Sequence, residues 1–132
     1  MINKKKLCAL AMVLTLAVPT IANASTQTDS ISFGNMVADC KLACSWSAFS
    51  YDKAKAKTDF TSSSNTGYSV TAYLEAVDSN GNRMGSAKFD SGRQWAECNL
   101  SKTSVEYYNS THSIANSNNV YKELSVTQLS DD

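Results

Sequence analysis

The chain has 132 residues, with 12 basic against 12 acidic side chains, four cysteines, one histidine and one proline. That length holds one domain with a modest core. Without the three lysines of an N-terminal leader the charge falls to 9 basic against 12 acidic residues, which disfavours nucleic acid, whose binders need a basic face, and anionic lipid surfaces.

Lys4, Lys5 and Lys6 open the chain, and an apolar run follows over residues 7–18. Pro19 breaks that run, and Ala22 and Ala24 place small residues where a signal peptidase reads them. The pattern predicts a cleaved signal helix over residues 1–24, with Ser25 as the new N-terminus. The run is about a dozen residues, short of the roughly twenty that span a bilayer. No second such run follows, so no membrane span is expected after processing. Cys8 precedes most of the apolar core, which is the wrong place for lipid attachment. Residues 128–132 are polar and lack a wall-sorting tail. The lysine-led leader resembles those of Gram-positive bacteria and implies a free, extracellular product.

Beyond the leader, 20 Ser, 9 Thr and 9 Asn fall within 108 residues, together with all the aromatics. Disordered chains are poor in aromatics, so the composition points to β-strands with small polar residues outward. Residues 25–30 are polar and unpatterned and read as a flexible arm before a domain over 31–132. In residues 40–48, Cys40, Leu42, Cys44 and Trp46 form one apolar row, and the alternation runs on through Lys53, Lys55 and Lys57. That period of two marks a half-buried strand. Lysines in a row suit an exposed face or an edge protected from other chains. Alanine and lysine also favour helix, but serines interleaved with Trp46, Phe49 and Tyr51 argue for a strand. Residues 61–67 are a loop by composition.

Tyr68, Val70, Ala72, Leu74 and Ala76 then alternate with Ser69, Thr71, Tyr73 and Glu75, the clearest strand in the chain. A turn over 78–82 sends the chain back through 83–89 as a hairpin, with Gly81 supplying a positive φ. Further strands are expected at 94–100, 105–108, 111–115 and 120–127. About seven to eight short strands with Gly, Asn and Ser turns predict an all-β fold, a small antiparallel β-sandwich; a closed barrel is the alternative. An immunoglobulin domain fits less well, because Trp46 follows Cys44 by only two positions and Ala96, not tyrosine, stands two before Cys98.

Cys40, Cys44 and Cys98 remain after processing. Oxidation outside the cell predicts one disulfide and one spare thiol. Cys40 and Cys44 lie about 13 Å apart on one strand, beyond bridging range, so the expected bond joins either of them to Cys98. A Cys44–Cys98 bond would contribute roughly 4 kcal/mol by loop closure. The alternative is three reduced cysteines packed as small hydrophobes.

No catalytic residues, cofactor or metal are assigned. Asp78, Asn80 and Asn82 have the spacing of calcium ligands, but Arg83 and Phe89 occupy the glycine and glutamate positions such a loop needs. His112 with the three cysteines offers a formal zinc set, and with Cys98 a formal nucleophilic pair, but no motif marks either. Asp39, Asp52, Asp59, Glu75 and Glu97 are too scattered to read as a glycosidase pair. Tyr51, Tyr73, Tyr108 and Tyr121 fall on or beside the more polar rows. They are candidate ligand-binding aromatics, able to stack on sugars or anchor a partner; cross-strand pairing is their structural alternative.

Trp95 and Ala96, then Asn99, Leu100 and Ser101, then Tyr107, Tyr108 and Asn109, together resemble the C-terminal stretch of lactococcin 972-type bacteriocins. Thr111, His112 and Ser113 resemble another string of that family, here placed after the tryptophan segment instead of before it. The resemblance implies a small secreted β-sandwich acting on the envelope of related bacteria, and transfers no individual residue role.

The sequence therefore predicts a secreted bacterial β-sandwich that is not an enzyme. Its expected partner is an extracellular glycan, a cell-envelope polymer or a surface protein. A bacteriocin-like toxin and a small hydrolase using Cys98 or His112 are the alternatives.

Overall fold

Period-two alternation runs through most of the chain, and strands follow it. The computed structural model describes residues 23–47, 50–62, 67–116 and 120–129. Most of the expected leader, with Cys8, Pro19 and Ala22, lies outside the described residues.

Eight strands form: β1 (Asn23–Phe33), β2 (Met36–Trp46), β3 (Asp52–Phe60), β4 (Ser69–Val77), β5 (Lys88–Gly92), β6 (Trp95–Lys102), β7 (Tyr107–Ala115) and β8 (Val120–Leu129). They make two four-stranded antiparallel sheets. Sheet A has the order β1-β2-β3-β6, and sheet B the order β5-β4-β7-β8. This is the all-β sandwich that the alternation predicts. The inward rows supply the core: Cys40, Leu42, Cys44 and Trp46 from β2, Ala54 and Ala56 from β3, Val70, Ala72, Leu74 and Ala76 from β4, with Tyr108 and Ile114 from β7. Trp46 and Tyr108 meet across the core with ring centroids 5.3 Å apart.

Residues 25–30 are not a free arm. They lie in β1, paired along their length with β2. The reason is the turn: Gly34 and Asn35 form a two-residue hairpin loop between paired Phe33 and Met36, with Gly34 at φ +61°. Glycine at the first loop position is the signature of a type II′ hairpin. An edge strand held largely by main-chain bonds can do with a short apolar row, and in β1 it is Ile31 and Phe33 at the hairpin end. Gln27 and Asp29 sit opposite Leu42 and Cys40 yet remain exposed. The expected cleavage bond, Ala24 to Ser25, falls inside this strand.

Residues 40–57 are also not one continuous strand. The chain leaves β2 after Trp46 and returns as β3. Buried Asp52 closes the reversal: Ser47 N–H donates to Oδ1 (2.9 Å) and Val105 N–H to Oδ2 (3.0 Å). The Tyr108 hydroxyl donates to the Asp52 carbonyl oxygen at 2.7 Å.

The hairpin at 78–82 forms as expected. Gly81 N–H donates to the Asp78 carbonyl (3.0 Å), and Asp78 Oδ1 accepts from Asn80 N–H (2.9 Å) and Asn82 N–H (3.0 Å). Its return is shorter than predicted. Val77 and Arg83 form an isolated bridge, and ladder pairing resumes only at Leu74 and Lys88. The two segments expected at 105–108 and 111–115 are one strand, β7.

Candidate functional site

Cys40, Cys44, Cys98 and His112 are core residues. Cys40, Cys44 and Cys98 are free thiols, all buried. Topology explains why neither bridge to Cys98 forms. Cys98 pairs with Ala56 on β3, and Ala56 pairs with Leu42 on β2. One strand therefore separates Cys98 from the row of Cys40 and Cys44, a lateral gap of about 10 Å. A disulfide spans Cα atoms no more than about 7 Å apart. The expected disulfide is thus replaced by three reduced thiols packed as hydrophobes. Burial, with Asp29 and Asp39 adding, pushes the Cys40 thiol up to about 12. Burial, with Asp90 and Glu97, pushes Cys98 up to about 11. Cys98 Sγ also donates to the Ala72 carbonyl across the sandwich at 3.4 Å.

His112 is fully buried. Thr58 Oγ1 donates its one proton to the Thr71 carbonyl at 2.7 Å, so it accepts from His112 Nδ1, also at 2.7 Å. His112 Nε2 then accepts from Ser110 Oγ at 2.8 Å. The bonds select the neutral, Nδ1-protonated ring. Burial lowers its pKa to about 4. This Ser–His–Thr chain ties β3 of sheet A to β4 and β7 of sheet B, and presents no ring nitrogen to a substrate. Among the described residues no group of three or more His, Cys, Asp or Glu converges as a metal site.

The four candidate tyrosines separate. Tyr108 has no exposure, and burial, with the nearby Asp52 charge, raises its pKa. It is a core residue and not a ligand platform, because its strand turns that row inward. Tyr51 is 57% exposed, in the loop before β3. Tyr121 falls on β8, whose side chains lie outside the described residues. Among those whose side chains are described, Tyr73 alone stands in a surface hydrogen-bond network.

That constellation is the outer face of sheet B. Tyr73 pairs with Phe89 on β5 and with Thr111 on β7, so the three share one face. Tyr73 Oη donates to Glu75 Oε1 at 2.9 Å and accepts from Arg83 Nη1 at 3.4 Å. Asn109 Nδ2 donates to Glu75 Oε2 at 3.1 Å. Both carboxylate oxygens are therefore held, and a polar row runs Asn109, Glu75, Tyr73, Arg83. Phe89 lies beside it with 64% of its surface exposed, an unusual position for so apolar a side chain. The expectations above missed Phe89 and also Trp95, which is 52% exposed on the outer face of sheet A. Phe89 was findable: the return strand was expected, and Phe89 has the parity of the Tyr73 row. The ladder shift moves its partner by two residues and so keeps the face.

The arrangement offers an aromatic ring next to fixed donors and acceptors. An apolar ring face packs on the C–H face of a sugar, while an oriented carboxylate, amide and guanidinium pair with hydroxyls. No protein-family model, curated protein or solved structure matches this chain.

Proposed function

We propose that this chain is a secreted, non-enzymatic binding module for an extracellular or cell-envelope glycan, and that the outer face of sheet B holds the sugar. One observation carries the reading: exposed Phe89 stands beside the preorganised row of Tyr73, Glu75, Arg83 and Asn109. Groups already oriented lose little entropy on binding. The leader supports export, and the buried state of His112 and Cys98 turns attention from the core to the surface.

The test is retention of the purified chain on insoluble envelope polysaccharide and on immobilised glycans. Phe89→Ala should weaken binding by about tenfold, the loss of roughly 1.4 kcal/mol of stacking. Trp95→Ala, on the opposite sheet, should leave it unchanged. Absence of retention on every polysaccharide, or equal binding by Phe89→Ala, removes the reading.

A further inference from the structure

The outer face of sheet A carries a charge pattern that the net charge hides. Lys53, Lys55 and Lys57 share that face of β3, and the register sets Lys41 of β2 opposite Lys57. The sequence suggested an exposed face or an edge guarded by lysines. β3 is a central strand with β2 and β6 on its two sides, so it has no edge to guard, and the lysines stand on an exposed face.

Acids offset the lysines unevenly. Glu97 is 3.8 Å from Lys55, and Asp59 is 3.8 Å from Lys57. Asp39 lies opposite Asp59, and Trp95 follows on the other side. Carboxylates therefore gather at one end of the face. At the other end Lys53 stands between Ser45 and Ser101, and Lys55 between Ala43 and Asn99. Ala43, Ser45, Lys53, Lys55 and Asn99 line a shallow hollow of about 270 Å³ there. Small side chains make its floor, so a ligand backbone can lie low between the two ammonium groups.

We propose that this face binds a linear, base-free polyanion with phosphodiesters in its backbone, of the poly(glycerol phosphate) class. Lysines on one face of a strand recur every two residues, about 6.8 Å. A glycerol phosphate repeat has six backbone bonds. An extended chain gains about 3.5 Å per three bonds, so its phosphates recur at about 7 Å. Lys53, Lys55 and Lys57 can thus meet successive phosphates, and Lys41 widens the strip at its Lys57 end. Nucleic acid has a similar charge spacing, but its single strands are held by bases stacked on aromatic side chains. The face offers only Trp95, at the acidic end, with Lys57 Nζ 5.6 Å from its ring.

Binding of the full chain to soluble poly(glycerol phosphate) of graded length tests this, with glycerol phosphate monomer and a single-stranded oligonucleotide of equal phosphate number as comparisons. Affinity should rise with polymer length and fall steeply with salt, as phosphate contacts release counterions. Lys53→Gln with Lys55→Gln should weaken it about tenfold or more. Phe89→Ala should leave it intact, which separates this site from the glycan face. No binding, equal binding by the double variant, or equal or tighter binding of the oligonucleotide overturns the proposal.

Discussion

Thr58, Ser110 and His112 show how one buried polar group is tolerated in a small core. Each ring nitrogen of His112 has a hydroxyl partner, so the neutral ring is satisfied, while burial penalises the charged ring. The folded pKa, about 4, lies below the ordinary 6.5. Between those values the unfolded chain binds a proton that the folded chain refuses. Stability should therefore be full above about pH 6.5 and fall as the pH drops towards 4, by about 3 kcal/mol in total. Denaturant unfolding from pH 7 to 4 measures this, and His112→Gln should flatten that part of the profile. Asp52 supports a second residue-level prediction. Asp52→Ala removes the carboxylate that accepts from the Ser47 and Val105 amides and should cost about 2–4 kcal/mol, read as a fall in the denaturation midpoint. Sequence could count these residues but not assign them. One histidine and scattered acids look alike in a list, whether they face water or each other across two sheets.

At the scale of elements, strands with an apolar row were legible and the edge strand was not. β4 announces itself through Val70, Ala72, Leu74 and Ala76, all buried. β1 turns only Ile31 and Phe33, at its hairpin end, to the core, is otherwise held by main-chain pairing to β2, and its marker is the Gly34–Asn35 loop. Gly34→Val should be destabilising by about 1–2 kcal/mol, because a β-branched residue resists φ +61°. Hydrogen exchange should show the added opening first in the β1 amides. The reversal between β2 and β3 was hidden for a different reason. Its lysine and alanine alternation continues the parity of β2, and the group that closes the turn, Asp52, draws partners from residues far along the chain. The same topology keeps Cys98 one strand away from its expected partners. Native protein should resist alkylation at pH 8, and the unfolded chain should expose Cys40, Cys44 and Cys98 as thiols without prior reduction, as intact mass would show.

Across the whole molecule, the sandwich turns chemistry that reads as scattered into two faces. Tyr73, Glu75, Arg83, Phe89 and Asn109 come from β4, β5, β7 and the hairpin return, and meet only because β4 lies between β5 and β7. Lys41, Lys53, Lys55 and Lys57 gather on the opposite sheet, where a chain with no excess of basic residues still presents local positive charge. Composition predicted a polar exterior, but grouping by face depends on register, which no residue count contains. A neutral sugar on one side and an anionic polymer on the other would let a single small domain hold two components of one envelope. The most direct measurement is amide and aromatic chemical-shift mapping of the labelled chain titrated with soluble, uncharged envelope-glycan fragments. Shifts confined to Tyr73, Glu75, Phe89, Asn109 and their neighbours on β4, β5 and β7 are the predicted result. Saturating fragments that leave these residues unmoved, or that shift the outer face of sheet A instead, would contradict it.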